Sequence, residues 1–239
     1  NGVLLVPNSF LKPEYAYTLE SGIKFITPNK NNFIDLRAYS TLVSRHIVRS
    51  DFIVFSDTST PDENTIIYNG EEVYTQANKN LGNRFIYGGS IQGKCVLIHP
   101  FEIMGGITFT KADKNPDYGP MPSIAPLFGT FTLSHEIKKW KTLLIWKFSD
   151  QKYPSDYSWG GEDGLNETPV VNANSINDVN KYYGMPSWNV WSILSQYQFQ
   201  KNIILNVALK NIFDLHYRTF ASGISAEGRS IQLRLKVKI

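Results

Sequence analysis

A chain of 239 residues, 42% of them hydrophobic and 19% charged, is too apolar to be disordered and can hold one large domain or two small ones. Its net charge of +3 is mild and spread along the chain, so it gives no basis for a nucleic-acid partner. The single cysteine, Cys95, excludes an internal disulfide, and no apolar run approaches the roughly 20 residues of a transmembrane helix.

Alternation of apolar and polar residues, the period of a β-strand, recurs along the chain. It is regular in four segments, at 15–25, 83–98, 191–199 and 203–210. Less regular strands are predicted near 33–50, 101–112, 126–137 and 139–151. A last strand, in GRSIQLRLKVKI, places Ile231, Leu233, Leu235, Val237 and Ile239 opposite Gln232, Arg234, Lys236 and Lys238. The sequence therefore predicts about nine strands, with a possible short extra strand near 72–79.

The links between these strands alternate between short and long. Short links lie at 27–32, 99–100, 138–139 and 200–201, and long links lie at 51–71, 113–125, 152–187 and 212–228. All short links therefore fall at one end of the predicted sheet. Outer-membrane β-barrels sort their connections in this way, with short periplasmic turns and long extracellular loops.

The apolar face of such strands packs either against a protein core or against lipid. Sustained alternation over about ten residues favours tilted membrane strands. Aromatic residues at the predicted strand ends favour the same reading, because barrels carry aromatic girdles at both membrane interfaces; they are Tyr15, Tyr17, Phe25, Trp140, Trp146, Phe148, Trp188, Trp191, Tyr197 and Phe199. A soluble carbohydrate-binding β-sandwich and a porin-like passive channel remain the alternatives.

Three short segments carry recognisable motifs: Asn211–Asp214 (NIFD) followed by HYR, 226–229 (AEGR), and LKPE at 11–14. Together they resemble TonB-dependent outer-membrane receptors. NIFD and HYR are similar to that family's N-(I/L)-F-(D/N)-x-x-Y, and AEGR resembles the approach to its final strand. LKPEYAYTLESG at 11–22 resembles its L-K-P-E strand. The sequence FASGISAEGR at 220–229 is most like that of Bacteroidota receptors. One departure is Ile239, where these barrels usually end in an aromatic residue.

The resemblance implies an all-β fold, an antiparallel transmembrane β-barrel. Residues 1–239 would supply about nine C-terminal strands of a 22-stranded barrel, incomplete in this chain. The plug domain and the N-terminal strands would lie outside it. The implied function is TonB-energised uptake of a ferric siderophore, haem or cobalamin across the outer membrane of a Gram-negative bacterium. The expected partners are outer-membrane lipid, the rest of the receptor, TonB acting through the plug, and the small-molecule substrate.

No catalytic motif is present, so we expect no enzyme activity and no cofactor. The substrate-binding candidates lie on the long loops, where aromatic rings offer flat surfaces for ring-bearing ligands: Tyr153, Tyr157, Trp159, Tyr182, Tyr183 and Arg218. An equal alternative is that these rings pack the loops together, and position in the family pattern favours a structural role for Arg218.

Isolated side chains are expected elsewhere. The four histidines, His46, His99, His135 and His216, fall in separate strands or turns, so a haem or metal role is the minor alternative. The acidic loop residues, Asp57, Asp62, Glu63, Glu162, Asp163 and Glu167, have no EF-hand spacing and are expected to be solvated rather than to bind Ca²⁺.

Overall fold

The computed structural model describes residues 2–54, 64–116 and 118–238, in which β-strands are the main regular structure and long loops make up most of the rest. The strands are β1 (Val3–Leu5), β2 (Tyr15–Ile26), β3 (Phe33–Ser44), β4 (Ile47–Asp51), β5 (Thr65–Tyr68), β6 (Glu71–Asn80), β7 (Arg84–Val96), β8 (Phe101–Ala112), β9 (Lys114–Asn115), β10 (Gly119–Pro120), β11 (Phe128–Ile137), β12 (Trp140–Ser149), β13 (Trp188–Gln200), β14 (Ile203–Lys210) and β15 (Ser230–Val237). Between β12 and β13 lie two 3₁₀ turns, Pro154–Asp156 and Leu165–Glu167, and the short helix α1 (Asp178–Lys181).

One antiparallel sheet of nine strands dominates the structure, in the order β2-β3-β7-β8-β11-β12-β13-β14-β15. The order follows the chain, and every neighbouring pair is antiparallel. Within the described part of the chain the sheet is open, because β2 and β15 each have a neighbour on one side only. The nine predicted strands are confirmed, and the possible strand near 72–79 is β6.

The strand register brings most of the large apolar residues of the nine strands to one face. In β2 and β3, Tyr17 pairs with Leu42, and Leu42 pairs in turn with Phe85 of β7. At the other edge Leu205 pairs with Leu235. This face is uncovered: Leu19 is 75% exposed and Leu233 is 72% exposed. Within the described residues no second sheet packs on it, as a β-sandwich would require.

Aromatic rings form two belts on the apolar face. Near the long-loop end, Trp146 lies with its ring centroid 5.7 Å from that of Phe131 and 5.6 Å from that of Trp191. Near the short-turn end, Trp140 lies 5.3 Å from Tyr197. Six residues separate Trp140 from Trp146 along β12, or about 20 Å of strand, close to the apolar band of about 25 Å in membrane barrels. The predicted girdles are therefore present.

One aromatic residue was assigned to these belts wrongly. Trp188 pairs with Ser149 on the opposite face of the sheet, and its ring lies 4.6 Å from that of Tyr217 in a loop. Its position at a strand end suggested an interfacial role. Side chains alternate between the two faces along β13, and Trp191, three residues further on, lies on the apolar face. Trp188 must therefore lie on the opposite face.

The opposite face carries most of the polar and charged residues and has ion pairs between neighbouring strands. Lys94 and Glu102 approach to 2.7 Å, and Lys141 and Glu136 to 2.9 Å. At the β15 edge, Gln232, Arg234 and Lys236 share this face. Such a division, apolar on one side and polar on the other, is that of a barrel with a lipid-facing outside and a polar interior.

A smaller four-stranded sheet lies beyond the long-loop end, with β6 paired to β1, β4 and β5. It corrects two predictions, since the strand near 33–50 ends at Ser44 and the polar link 51–71 contains β5. Arg45 causes the break by adopting φ 57, after which β4 joins the smaller sheet. The Glu14 carboxylate fixes this corner, accepting from the Ile47 amide at 2.7 Å and lying 2.8 Å from His46 Nδ1. The predicted acidic set Asp57, Asp62 and Glu63 lies outside the described residues.

No helix among the described residues is long and apolar enough to cross a bilayer. The sorting of links by length is confirmed. The turns at 27–32, 97–100, 138–139 and 201–202 all lie at one end of the nine-stranded sheet, and the connections 45–83, 113–127, 150–187 and 211–229 all lie at the other.

Candidate functional site

Three loops meet at the long-loop end of β8 to β15. We name them the β8–β11 loop (113–127), the β12–β13 loop (150–187) and the β14–β15 loop (211–229). Loops longer than about 15 residues are uncommon unless they are functional or disordered. Here the β12–β13 loop is held by its own short helices, by bridges at Lys152–Met185 and Val170–Tyr182, and by its neighbours.

Asn211 closes the base of the β14–β15 loop. Its side chain is 3% exposed and its backbone is left-handed at φ 46, a conformation that asparagine tolerates better than most residues. Its amide nitrogen donates to the carbonyl of Leu215 at 2.9 Å and of Glu227 at 3.2 Å, and its oxygen accepts from the Leu215 amide at 2.9 Å. The single side chain therefore ties the start of the loop to its end.

Asp214 makes a second tie across the same loop. Its Oδ1 accepts from the Arg229 amide at 2.7 Å, and its Oδ2 lies 3.7 Å from the Arg229 guanidinium. A Cβ at Gly228 would lie 3.2 Å from Asp214 Oδ1, so the glycine allows this close approach. NIFD and AEGR thus act together, as the two sides of one hydrogen-bonded closure.

Lys152 joins all three loops. Its ammonium donates to Asp163 Oδ2 at 3.0 Å and to the carbonyl of Ile124, in the β8–β11 loop, at 2.7 Å. It also lies 4.1 Å from the ring centre of Phe220, in the β14–β15 loop. The other oxygen of Asp163 accepts from the Ser123 amide at 2.8 Å. Only 2% of each charged side chain is exposed, so the pair is sealed from water.

The β8–β11 loop has its own anchor. Arg84, 2% exposed, donates from Nε to Asp113 Oδ1 at 3.1 Å, and from its terminal nitrogen to the carbonyls of Asp113 at 2.8 Å and Gly119 at 3.2 Å. Gly119 has φ 72, and the ring of Trp159 occupies the space where a Cβ would lie. This contact attaches the β12–β13 loop to the β8–β11 loop.

A cleft of about 650 Å³ lies between the β12–β13 and β14–β15 loops. Arg218 spans it, donating from one terminal nitrogen to Glu167 Oε2 at 2.8 Å and to the carbonyl of Ser222 at 2.6 Å. Trp188 and Tyr217 form an aromatic wall. The cleft combines aromatic surface with hydroxyl, carboxylate and guanidinium groups, the mixture expected of a small-molecule site.

The structure separates the six predicted binding residues. Tyr157 and Arg218 line the cleft, whereas Tyr153, Trp159, Tyr182 and Tyr183 are not among its lining residues. Tyr157 is buried, and its hydroxyl accepts from the Met185 amide at 3.1 Å, so it supports the loop. The ammonium of Lys181 lies over the ring of Tyr182, 5.5 Å from its centre. Tyr153 and Tyr183 are 55% and 44% exposed.

Sequence reasoning missed Lys152, Phe220 and Trp188 as parts of this site. Their contacts join residues 11 to 68 positions apart, so no local pattern marks them. Glu162, Asp163 and Glu167 were singled out as an acidic group, and all three line the cleft. Asp163 is buried against Lys152 rather than solvated, which corrects the expectation for that residue.

Burial shifts three pKa values in this region. Desolvation lowers the pKa of Lys152 despite the opposing effect of Asp163. It raises the pKa of Tyr157 and of Tyr217, because both phenolates would lose hydration in the loop packing.

The histidines lie apart from one another. His46 contacts Glu14, the His135 ring lies 4.9 Å from that of Phe101, and His216 Nε2 lies 2.9 Å from Ser225 Oγ. Among the described residues, no group of three or more histidine, cysteine or acidic side chains is arranged to hold a metal ion.

Comparison with known proteins gives a family and a fold. The family model described as "TonB dependent receptor-like, beta-barrel" matches residues 1–212. No curated protein sequence matches the chain.

Solved structures match nearly the whole chain. The siderophore receptor PirA from Acinetobacter baumannii superposes with a TM-score of 0.71 at 16% identity, covering 98% of this chain and 33% of its own. The copper transporter OprC gives 0.66 at 16% identity, covering 96% and 33%. A variant of the ferric enterobactin receptor PfeA from Pseudomonas aeruginosa gives 0.68 at 14%, covering 95% and 31%. The chain thus spans about a third of the length of these structures.

Proposed function

Since the chain belongs to the TonB-dependent receptor-like β-barrel family, we propose that it forms part of the wall and outer mouth of an outer-membrane active-transport receptor. Its nine strands would be the C-terminal strands of a barrel of about 22, completed by strands outside this chain. The plug domain, contacted by TonB in the periplasm, would then fill the interior against the polar face.

The observation that carries this proposal is the division of the nine-stranded sheet. One uncovered apolar face bears two aromatic belts, and the long loops all leave from one end. An open sheet edge in lipid would leave backbone groups unpaired at several kcal/mol each, so β2 and β15 both require further strands. This requirement agrees with the one-third coverage of the related structures.

The role proposed for the loops is capture of the substrate outside the cell. Ferric siderophores, haem and cobalamin are the candidate classes, and the cleft between the β12–β13 and β14–β15 loops is the proposed contact within this chain. No bond chemistry is proposed. Arg218 and the wall of Trp188 and Tyr217 would meet the substrate, and Tyr157 and Lys152 would hold the loops in place.

The experiment compares uptake with and without energy. Cells carrying the intact receptor are given each candidate class as the sole source of iron or cobalamin, and accumulation is followed before and after a protonophore. Active transport predicts that accumulation of one class requires the receptor and stops when the proton gradient collapses. Receptor-dependent accumulation that continues without the gradient would instead establish a passive, porin-like channel.

A further inference from the structure

The charge of the cleft carries an inference about its ligand. The β12–β13 loop contains six carboxylates, at 150, 156, 162, 163, 167 and 178, and only two lysines, at 152 and 181. The β14–β15 loop adds equal numbers of acidic and basic side chains. The two loops that form the cleft are therefore acidic together, although the chain as a whole is basic.

The cations at the cleft are already engaged within the protein. Lys152 is buried against Asp163 and the carbonyl of Ile124. Arg218 donates to Glu167 and to Ser222, with Nε at 3.1 Å and a terminal nitrogen at 2.6 Å from the same Ser222 carbonyl. At the base of the loop, Arg229 lies 3.7 Å from Asp214 and Lys210 lies 3.5 Å from Glu227. Among the described lining residues, Arg218 is the only lysine or arginine, and its guanidinium has internal acceptors.

Carboxylate oxygens, in contrast, remain available. Glu162 is exposed at the cleft, and its Oε2 accepts from Ser158 Oγ at 2.8 Å, its one hydrogen-bond donor among the described residues. Glu167 is 53% exposed on its side chain and uses Oε2 for Arg218. Hydroxyls of Thr168, Ser187, Tyr217, Thr219 and Ser225 add to the polar lining, together with the imidazole of His216, whose Nε2 lies 2.9 Å from Ser225 Oγ. The cleft therefore offers acceptors and apolar rings, but no free positive charge among the described residues.

A multiply anionic ligand would meet two costs here. It would lie near Glu162 and Glu167, and like charges brought together inside a partly desolvated site repel strongly. To pair with the guanidinium of Arg218, the ligand would have to displace Glu167. Arg218 is also held by its hydrogen bond to the Ser222 carbonyl of the β14–β15 loop. A neutral or cationic ligand that donates hydrogen bonds would avoid both costs and would match the free carboxylate oxygens.

We infer that the cleft selects a small ligand without net negative charge, rich in hydrogen-bond donors and carrying a flat or apolar face for Trp188 and Tyr217. The inference rests on the proposed function of substrate capture. Within the candidate classes it separates neutral or cationic iron chelates and cobalamin from trianionic ferric catecholates and from haem with its two propionates.

The test uses two iron chelates that differ in charge. Binding of a neutral ferric trihydroxamate and of a trianionic ferric tris-catecholate to the intact, detergent-solubilised receptor is measured by intrinsic tryptophan fluorescence, with cobalamin and haem as a second neutral-against-anionic comparison. The expected result is that a neutral ligand binds at least about tenfold more tightly than its anionic counterpart. Glu162→Lys should shift this ratio toward the anion by about tenfold, and Glu162→Gln by less.

Glu71→Lys provides the matched control. Glu71 is exposed in the smaller sheet and is not a lining residue, so the same charge change there should leave the ratio unaltered. If the wild-type receptor binds an anionic probe more tightly than its neutral counterpart, the inference is overturned and substrate capture stands. If no probe of either charge binds, substrate capture by this cleft is overturned, and the inference with it.

Discussion

The ammonium of Lys152 and the carboxylate of Asp163 lie 3.0 Å apart, with 2% of each side chain exposed. Neither charge reaches water, and each is completed by backbone from the β8–β11 loop, the carbonyl of Ile124 and the amide of Ser123. A buried pair of this kind adds little stability over an apolar pair of the same shape, but removing one partner leaves the other charge buried and unpaired. Its role here is to fix how three loops meet.

Lys152→Met should release these loops by leaving Asp163 charged and buried. We expect the free energy of opening to fall by about 3–5 kcal/mol, measured by hydrogen exchange at amides of the β12–β13 and β14–β15 loops. Lys152→Met with Asp163→Leu should recover most of the loss. Lys181→Met, at a lysine stacked on Tyr182 outside the cleft lining, is the control. Unchanged exchange in Lys152→Met would contradict the account.

Asn211→Ala should open the base of the β14–β15 loop. The substitution removes three side-chain hydrogen bonds and places alanine at φ 46, so we expect a loss of about 2–4 kcal/mol. Thermal unfolding in detergent measures it. Asn202→Ala, which removes one exposed bond of 3.3 Å to the Lys238 carbonyl, should cost far less. Equal effects of the two variants would show that Asn211 has no special role.

Gly105→Ala should strain the apolar face of the sheet. A Cβ at Gly105 would lie 2.6 Å from the Thr130 carbonyl and would run into the ring of Phe131. Overpacking of this kind costs about 1–3 kcal/mol, seen as a lower unfolding temperature. Gly223→Ala is the control, since nothing lies within 4 Å of its Cβ position. Adding Phe131→Leu to Gly105→Ala should restore part of the lost unfolding temperature. No recovery would show that the clash with the Thr130 carbonyl, and not with the Phe131 ring, causes the strain.

Alkaline pH should loosen the loop packing through Tyr157 and Tyr217. Burial raises both pKa values above the ordinary 10.0, so the stability they contribute is complete below that pH and is lost as the pH rises through the folded-state pKa. Lys152 acts in the opposite direction, because burial lowers its pKa. Tyrosinate absorption of the wild type minus that of Tyr157→Phe should show a delayed ionisation. A Tyr157 signal that titrates with exposed tyrosines would exclude this packing.

The nine strands and the direction of their faces were predictable from the sequence for a physical reason. A strand repeats every two residues, so Ile231, Leu233 and Leu235 fix their face without knowledge of any neighbour. The sorting of short turns and long loops to opposite ends of the sheet could also be predicted from the sequence. The break at Arg45 was missed, because a single residue at φ 57 leaves the hydrophobic pattern on either side intact.

The loop site was predictable only in part. Composition pointed to the aromatic β12–β13 loop, yet of the six residues chosen only Tyr157 and Arg218 lie at the cleft. Whether a loop residue lines a cleft depends on contacts such as Lys152 with Phe220, made between distant parts of the chain. The NIFD pattern was recognised as a family feature, but its physical role, closure of a loop by Asn211 and Asp214, required the structure.

The central claim is that the apolar face of the nine-stranded sheet meets lipid and the opposite face lines the interior. Single cysteines from 231 to 237 test it most directly, in the intact receptor in bilayers, with the exposed Cys95 replaced by serine. Spin labels there are challenged with lipid-soluble oxygen and with a water-soluble nickel complex. We predict oxygen maxima at 231, 233, 235 and 237 and nickel maxima at 232, 234 and 236. Oxygen maxima at 232, 234 and 236 with nickel maxima at the odd positions, or no alternation at all, would contradict the account.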